Sequence, residues 1–345
     1  MTTAADDRVL FDVDRDKRIA TITLNNPARR NSYDAAMREQ LARYLDQVAE
    51  DDDLTVVLLR GAEGVFSTGA DMNNAYGWYG GGGGDERSRE ERSGGDERSR
   101  EERSGGDERS REERSGGDER SREERSGGDE RSREEQSGDE RSRRPSQRRR
   151  LTVDRKSFGF YHNLMGFPKV TVGEISGYAL GGGFEMALMT DISVIARDTR
   201  IGMPATRFLG PALGSLHMFF HRLGPVLARR LLLTGDVIRA SEVEHLGVFT
   251  DTCDAASVPA RARYWAEKAA KMPADGVVIA KEAFRLVEQS QAYQGEEVAS
   301  YLFHAYGTNL QFADGEFNFV KTRARHGTRE AFRLRDEHFF VPEPE

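Results

Sequence analysis

Three consecutive glycines constrain the fold of this chain more than any other feature, because they join a predicted buried strand to a predicted helix. The strand-like run is Lys169–Ile175, and the helix begins at Gly181-Gly182-Gly183. Glycine lets a ligand approach the backbone closely, and a helix start presents N–H groups and a positive dipole end that suit a forming oxyanion. Glu185 follows in apolar surroundings. The pattern indicates either an oxyanion site with an acid–base group or a glycine-rich turn with a capping glutamate.

This junction belongs to one of four motifs that follow one another along the chain. The four are Asn26–Ser32, Phe66–Met72, Gly177–Asp191, and Leu232–Asp236 with Ala240 and Gly247. Each is a weak signal alone, but together they resemble the crotonase superfamily, the enoyl-CoA hydratase/isomerase family. The resemblance runs from about Val9 to about Arg285, apart from a long insertion.

Hydrophobic patterning places the secondary structure coarsely. Strands are predicted at Arg18–Leu24, Val56–Leu59, Val170–Ile175 and Ile192–Ala196, and helices at Phe158–Met165, Leu223–Leu233 and Ser241–Leu246. Asn31 or Ser32 is predicted to cap a helix that starts after them, and Ser241 with Glu244 has capping-box spacing. This alternation of strands and helices, with a helix-rich end, indicates an α/β core.

The resemblance implies a more specific architecture. It implies a spiral of ββα turns with a C-terminal helical region that is used in trimer assembly. We therefore expect residues 1–82 and 151–260 to form the core, residues 83–150 to be the insertion, and residues 261–345 to be the helical region.

The insertion is an internal repeat of eleven residues. Gly83–Ser93 reads GGDERSREERS and recurs from Gly94, Gly105 and Gly116. A fifth copy from Gly127 has Gln136 in place of arginine, and a degenerate copy follows from Gly138. Asp85–Arg150 has 42 charged residues among 66 and no aliphatic or aromatic side chain apart from Pro145. Solenoid repeats need an apolar face to stack, so the composition predicts disorder. Intact repeats carry four acids and three arginines, which makes them poor ligands for nucleic acid.

The rest of the composition limits the class of protein. The chain of 345 residues has one cysteine, no apolar run long enough to span a membrane and a net charge of −8. A disulfide framework within the chain is excluded, and neither nucleic acid nor a membrane is expected as a partner. With a polar, acidic start instead of a signal peptide, a cytoplasmic location is expected.

The resemblance also assigns the parts of a site. It implies that the backbone N–H groups of Ala70 and Gly182 hold the oxygen of an acyl-CoA thioester, and that CoA lies along Ala70, Asp71, Met72 and Asn73. CoA is then part of the substrate, and no other cofactor and no metal is expected. An alternative role for Asp71 is to cap nearby backbone groups.

Glu185 matches the first of two glutamates with which hydratases of this family position a water and move its proton. The second glutamate is missing: Ala205 or Thr206, depending on the anchor chosen, stands at its position. Three interpretations remain open. The chain is an enoyl-CoA hydratase/isomerase-type enzyme of fatty acid metabolism that uses Glu185, a weak or inactive acyl-CoA-binding homologue, or an assembly protein whose working part is the insertion. A homotrimer or hexamer is expected.

Other titratable groups are candidates for replacing the missing acid. His162, His217 and His221 are possible substitutes, and the last two have a helical spacing that also suits a metal, although core or interface roles are favoured. Asp191, near the end of the glycine-started helix, is expected to have a structural role, and Glu174 stays unassigned.

Overall fold

The computed structural model describes residues 7–72, 146–209, 216–290, 312 and 315–342. Its strands are β1 (Val9–Asp14), β2 (Ile19–Leu24), β3 (Val56–Gly61), β4 (Val170–Ile175), β5 (Tyr178–Leu180), β6 (Ile192–Ala196), β7 (Arg200–Gly202), β8 (Val237–Arg239) and β9 (Asp251–Cys253). Its α-helices are α1 (Ala35–Glu50), α2 (Gln147–Met165), α3 (Gly182–Met189), α4 (Thr206–Leu209), α5 (Leu216–Thr234), α6 (Val258–Ala270), α7 (Ala274–Ser290) and α8 (Phe319–His338).

The strands form two sheets. The larger has the order β1-β2-β3-β4-β6-β9, in which β1 and β2 are antiparallel and all other neighbours are parallel. The smaller has the order β5-β7-β8. Because β4-β5 and β6-β7 each send one strand to each sheet before a helix, the ββα turn that the resemblance implies is present. The predicted α/β class is confirmed.

The larger sheet separates two apolar clusters. Successive side chains of a strand point to opposite faces. Val172 of β4 packs in a cluster with α6, whereas Ile175 faces the larger cluster, which also holds Tyr33, Tyr161 and Phe184. The candidate site is therefore on the face of the sheet opposite α6.

The N-terminal cap of helix α1 differs from the prediction. The helix is capped by Asp34, whose side chain accepts from the Met37 N–H, and not by Asn31 or Ser32. Tyr33 forms an extended bridge with Ala70, so the helix cannot begin before it. The predicted strands are confirmed to within a residue or two.

Other predicted helix boundaries also change. Helix α5 begins at Leu216, before the predicted start at Leu223. Helix α2 begins at Gln147, so the last four residues of the expected 83–150 insertion are helical. The segment Ala240–Leu246 is a 3₁₀-helix, and it is Glu242, not Glu244, whose side chain accepts from the backbone at its start. Glu244 pairs with Arg197 instead.

By its contacts the chain divides into two units, Met1–Trp78 with Arg150–Glu345, and Tyr79–Arg149. The predicted disordered repeat lies outside the described residues as far as position 145, and its disorder stays a prediction. Toward the C-terminus the described residues are mainly those of α6, α7 and α8. None of the helices described is both long and apolar enough to cross a membrane.

Candidate active site

The glycine junction lies against the loop that follows β3. Ser67 forms a parallel bridge with Ala179 of β5: its N–H donates to Tyr178 at 2.8 Å, and its carbonyl accepts from Leu180 at 3.0 Å. The chain then continues into Gly69, where an added Cβ would lie 2.7 Å from the Gly182 nitrogen. Two motifs that are far apart in sequence therefore form one site.

The Asn26–Ser32 motif fixes the position of the loop that follows β3. The fully buried Asn31 amide donates to the carbonyls of Ala62 and Val65, at 3.0 and 2.6 Å, and its oxygen accepts from Asn26 N–H. The hydroxyl of Ser67 donates to the Asn31 carbonyl and accepts from Gly69 N–H at 3.0 Å. The geometry of this loop thus depends on side chains of the Asn26–Ser32 motif as well as on its own glycines.

The backbone directs two N–H groups away from secondary-structure partners. Tyr33 bridges Ala70 through the Gly69 carbonyl and the Asp71 N–H, so the Ala70 N–H between them points to the other side of the strand. Gly182 is the first residue of α3, where N–H groups have no intrahelical acceptor. Its cap, Gly181, has φ 56° and ψ −128°, a conformation essentially restricted to glycine.

Glu185 lies in the first turn of α3 and is 5% exposed. The positive end of the helix favours a carboxylate there. The helix is held in place by Phe184, whose ring packs edge-on against Phe219 of α5 with centroids 5.6 Å apart. The structure therefore places the predicted acid–base group as a buried carboxylate beside the Gly182 backbone.

Two tyrosines that were not predicted from the sequence complete this region. The hydroxyls of Tyr33 and Tyr161 form a hydrogen bond with each other, and a Cβ added at Gly182 would collide with both. Both side chains are buried. Because the two residues are 128 positions apart, no local sequence signal pairs them, although Tyr33 directly follows the Asn26–Ser32 motif.

The electrostatic environment keeps these phenols neutral. Burial raises the pKa of Tyr33 and of Tyr161 well above the usual range, and the negative charge of Glu185 raises both further. The guanidinium of Arg38 acts in the opposite direction on both. At neutral pH both hydroxyls therefore keep their protons.

The two positions considered for the expected second glutamate, Ala205 and Thr206, follow β7 at the end of the small sheet where the glycine junction lies. Gly181 N–H donates to Gly202, the last residue of β7, at 3.0 Å. Ala205 follows three residues later and packs, partly buried, against the cluster that contains Phe184. Thr206 is used within its own turn, because its hydroxyl donates to the Met203 carbonyl.

The predicted CoA segment is described only as far as Met72, and Asn73 lies outside the described residues. Asp71 is ion-paired with Arg29, with 2.6 Å between Nη1 and Oδ2. This contact is to a side chain, and a role of Asp71 in capping backbone groups stays a prediction. Arg323 of α8 donates to the Met72 carbonyl, so two arginines border this segment.

The other titratable candidates have structural contacts. His162 has Nδ1 2.9 Å from the Phe158 carbonyl in its own helix, and His217 and His221 stack with ring centroids 5.7 Å apart. Within the described part of the chain, no three His, Cys, Asp or Glu side chains are grouped as a metal site requires.

The two remaining carboxylates lie outside the site. Asp191 accepts from Thr171 and from Lys281, which confirms its predicted structural role. Glu174 shares a sheet face with Val172, away from the site, and burial raises its pKa.

Comparison with known proteins finds similarity to enoyl-CoA hydratases and isomerases. The family model for enoyl-CoA hydratase/isomerase matches residues 14–88 and 139–328. A probable enoyl-CoA hydratase of Mycobacterium bovis is 22% identical over 314 residues, which are 90% of this chain and 95% of that protein. The 2,3-dehydroadipyl-CoA hydratase of Escherichia coli is 22% identical over 312 residues, with the same two shares.

Solved structures show the same fold. The enoyl-CoA hydratase of Mycobacterium smegmatis has a TM-score of 0.67 at 24% identity, covering 96% of this chain and 94% of that one. An enoyl-CoA hydratase/isomerase from Xanthobacter autotrophicus Py2 has a TM-score of 0.68 at 21% identity, covering 97% and 99%.

Proposed function

Because the chain belongs to the enoyl-CoA hydratase/isomerase family, we propose that it binds an acyl-CoA thioester with the carbonyl oxygen between the N–H groups of Ala70 and Gly182. The observation that carries this proposal is the direct contact of their two loops, with the buried Glu185 one turn away. Two preorganised amide donors stabilise an enolate oxygen, and in comparable sites one donor contributes about 3–4 kcal/mol.

Glu185 is the proposed acid–base group. A single carboxylate can remove a proton from the carbon next to the thioester and return it two carbons further along an enoyl chain, which moves the double bond. Hydration by the family's glutamate pair needs a second carboxylate, and Ala205 does not supply one. We therefore favour isomerisation over efficient hydration.

CoA is proposed to lie along Ala70, Asp71, Met72 and Asn73. Arg29 and Arg323 border this segment, and they offer positive charge to the phosphates of the nucleotide. The chemistry needs no cofactor besides the CoA that the substrate carries.

Assembly into a trimer or hexamer is also proposed. Helix α7 exposes four large apolar side chains that a monomer leaves in water: Ile279, Phe284, Leu286 and Val287. A surface of this kind is typical of a protein interface.

The alternative function is binding of acyl-CoA without efficient turnover. Its support is the alanine at position 205, which removes one of the two carboxylates of a hydratase. Retention of Glu185 beside the oxyanion site favours the enzyme, since binding alone does not require a buried carboxylate there.

The test is the Glu185→Gln variant, assayed on a panel of 2-enoyl-CoA and 3-enoyl-CoA thioesters with product mass as the readout. Turnover is expected to fall by about 10²–10⁴, the usual contribution of a general acid–base group, with little change in thioester affinity. The control is Glu174→Gln, a carboxylate on the other face of the sheet, which should leave turnover unchanged. Absence of turnover in the wild type, together with tight thioester binding, would favour the alternative.

A further inference from the structure

The Tyr33–Tyr161 hydroxyl pair occupies the space beside Gly182 that a side chain at that position would fill. The two phenols come from separate parts of the chain: Tyr33 precedes α1, and Tyr161 lies on α2. Their hydroxyls lie at the Cβ position of the residue whose N–H is proposed to hold the thioester oxygen. This placement positions them for contact with a ligand on Gly182.

The two hydroxyls carry two protons, and the hydrogen bond between them uses only one. A tyrosine hydroxyl is one donor and also an acceptor, so in a hydrogen-bonded pair one hydroxyl donates to the other while the second still carries a proton to donate. The burial and the nearby Glu185 keep both groups in the donor form.

A further donor would add to the two backbone N–H groups of the proposed mechanism. The negative charge of an enolate develops on the thioester oxygen, so each additional hydrogen bond to that oxygen lowers the barrier. A phenol inside a buried site is a stronger donor than an amide because it is more acidic, and such donors act most strongly where water is excluded.

We propose that the Tyr33–Tyr161 pair is a third hydrogen-bond donor to the thioester oxygen, beside the N–H groups of Ala70 and Gly182. This inference rests on the proposed function of the site. The hydroxyl that is not donating within the pair donates to the substrate oxygen, and its hydrogen bond strengthens as the enolate forms. No proton leaves the tyrosines, so the pair is regenerated in every turnover.

The experiment measures polarisation of the carbonyl directly. Butyryl-CoA labelled with ¹³C at the thioester carbonyl is bound to the wild type, to Tyr33→Phe, to Tyr161→Phe and to the double variant, and infrared difference spectra report the carbonyl stretch. The control is Tyr44→Phe, because Tyr44 stacks on Phe11 with centroids 4.6 Å apart and takes no part in the site.

The wild type and Tyr44→Phe are expected to lower the stretching frequency of the bound carbonyl. The tyrosine variants of the pair should lose a large part of this shift, and turnover should fall by about 10²–10³, the effect of removing one such donor, while affinity changes little. A purely structural role would alter thermal stability without this selective loss of polarisation.

The outcomes separate the two proposals. If the wild type does not shift the carbonyl, the oxyanion site is wrong and the proposed function fails with it. If the wild-type shift persists in the double variant, only the role of the tyrosines is overturned. Should the phenylalanine variants fail to fold, the native chain labelled with 3-fluorotyrosine serves instead: more acidic phenols should increase the shift, and an unchanged shift would overturn the inference.

Discussion

Gly69 and Gly182 lie so close together that a Cβ on Gly69 would be 2.7 Å from the Gly182 nitrogen. Gly69 also has φ +83°, a backbone conformation that side chains disfavour. These two glycines therefore set the distance between the loops that carry the proposed oxyanion donors.

Gly69→Ala is expected to combine backbone strain with displacement of the Gly182 loop. We expect a loss of stability of about 2 kcal/mol and a fall in turnover of at least about tenfold. Gly64→Ala is the matched control, because Gly64 has φ +70° but open space around its Cβ position. It should lose stability without losing turnover, as measured by urea unfolding and by the thioester assay. Equal activity of the two variants would contradict the close approach of the loops.

We expect the Asn31 side-chain amide to make the largest contribution to holding the Asn26–Ser32 motif in place. Asn31→Ala removes the hydrogen bonds that the fully buried Asn31 side chain donates to the carbonyls of Ala62 and Val65, so the free energy of unfolding should fall by about 2–4 kcal/mol. Asn25→Ala is the control, since it removes an exposed hydrogen bond from the Asn25 side chain to the Asp7 carbonyl and should cost less than about 0.5 kcal/mol. Urea unfolding measures both values, and similar losses in the two variants would be inconsistent with this role.

The Ala205→Glu variant tests whether a carboxylate at position 205 supplies the missing second acid. If position 205 faces the substrate, the new carboxylate should raise hydration of crotonyl-CoA, because a pair of carboxylates can position a water. Two like charges near each other also raise the pKa of one of them, which gives a general acid. Ala205→Gln has the same size without the charge and should not increase hydration. The steady-state rate of hydration is the readout, and equal rates in the two variants would show that charge at this position is not used.

The tyrosine pair makes stability sensitive to alkaline pH. The folded state raises the pKa of Tyr33 and Tyr161 above the unfolded value of about 10, so it binds their protons more tightly than the unfolded chain. This contribution is complete below about pH 10 and is lost as the pH rises further. Stability measured against pH should therefore fall above pH 10, and less steeply in the Tyr33→Phe, Tyr161→Phe double variant. Identical slopes would mean that these phenols ionise normally.

The repeat is tested by its removal. Because Asp85–Arg144 has no apolar side chains, its replacement by a short Gly/Ser linker should change neither the thermal midpoint nor thioester affinity appreciably. Calorimetry and thermal unfolding of the shortened chain measure both. Collapse of the fold, or loss of oligomers, would show that the repeat is not a disordered insertion.

The sequence predicts those parts of the molecule whose signals are local. The strand before Ser176, the helix start at Gly182 and the position of Glu185 follow from periodicity and glycine spacing, and the structure confirms them. The two loops were assigned to one site through the family resemblance, and the bridge between Ser67 and Ala179 brings them together.

Features that depend on distant partners were not predicted. Asp34 caps α1 because Tyr33 is held extended by Ala70, a contact that no pattern around Asn31 reveals. The pairing of Tyr33 with Tyr161 depends on how α2 packs, and an apolar helix face predicts burial of a tyrosine without specifying what its hydroxyl meets.

The bridge between Ser67 and Ala179 also has a kinetic consequence. It closes a loop over positions 67–179, and more than half of that loop is the stretch 73–145. The entropic cost of closing a loop grows only logarithmically with the length of the loop. For a flexible chain, this stretch adds about 1 kcal/mol to the cost of closure and slows closure about fivefold. The contact order of the site is high, and its two halves should meet late in folding, after β1, β2 and β3 have formed locally. In a newly made chain, the proposed oxyanion site therefore cannot form until α3 has left the ribosome.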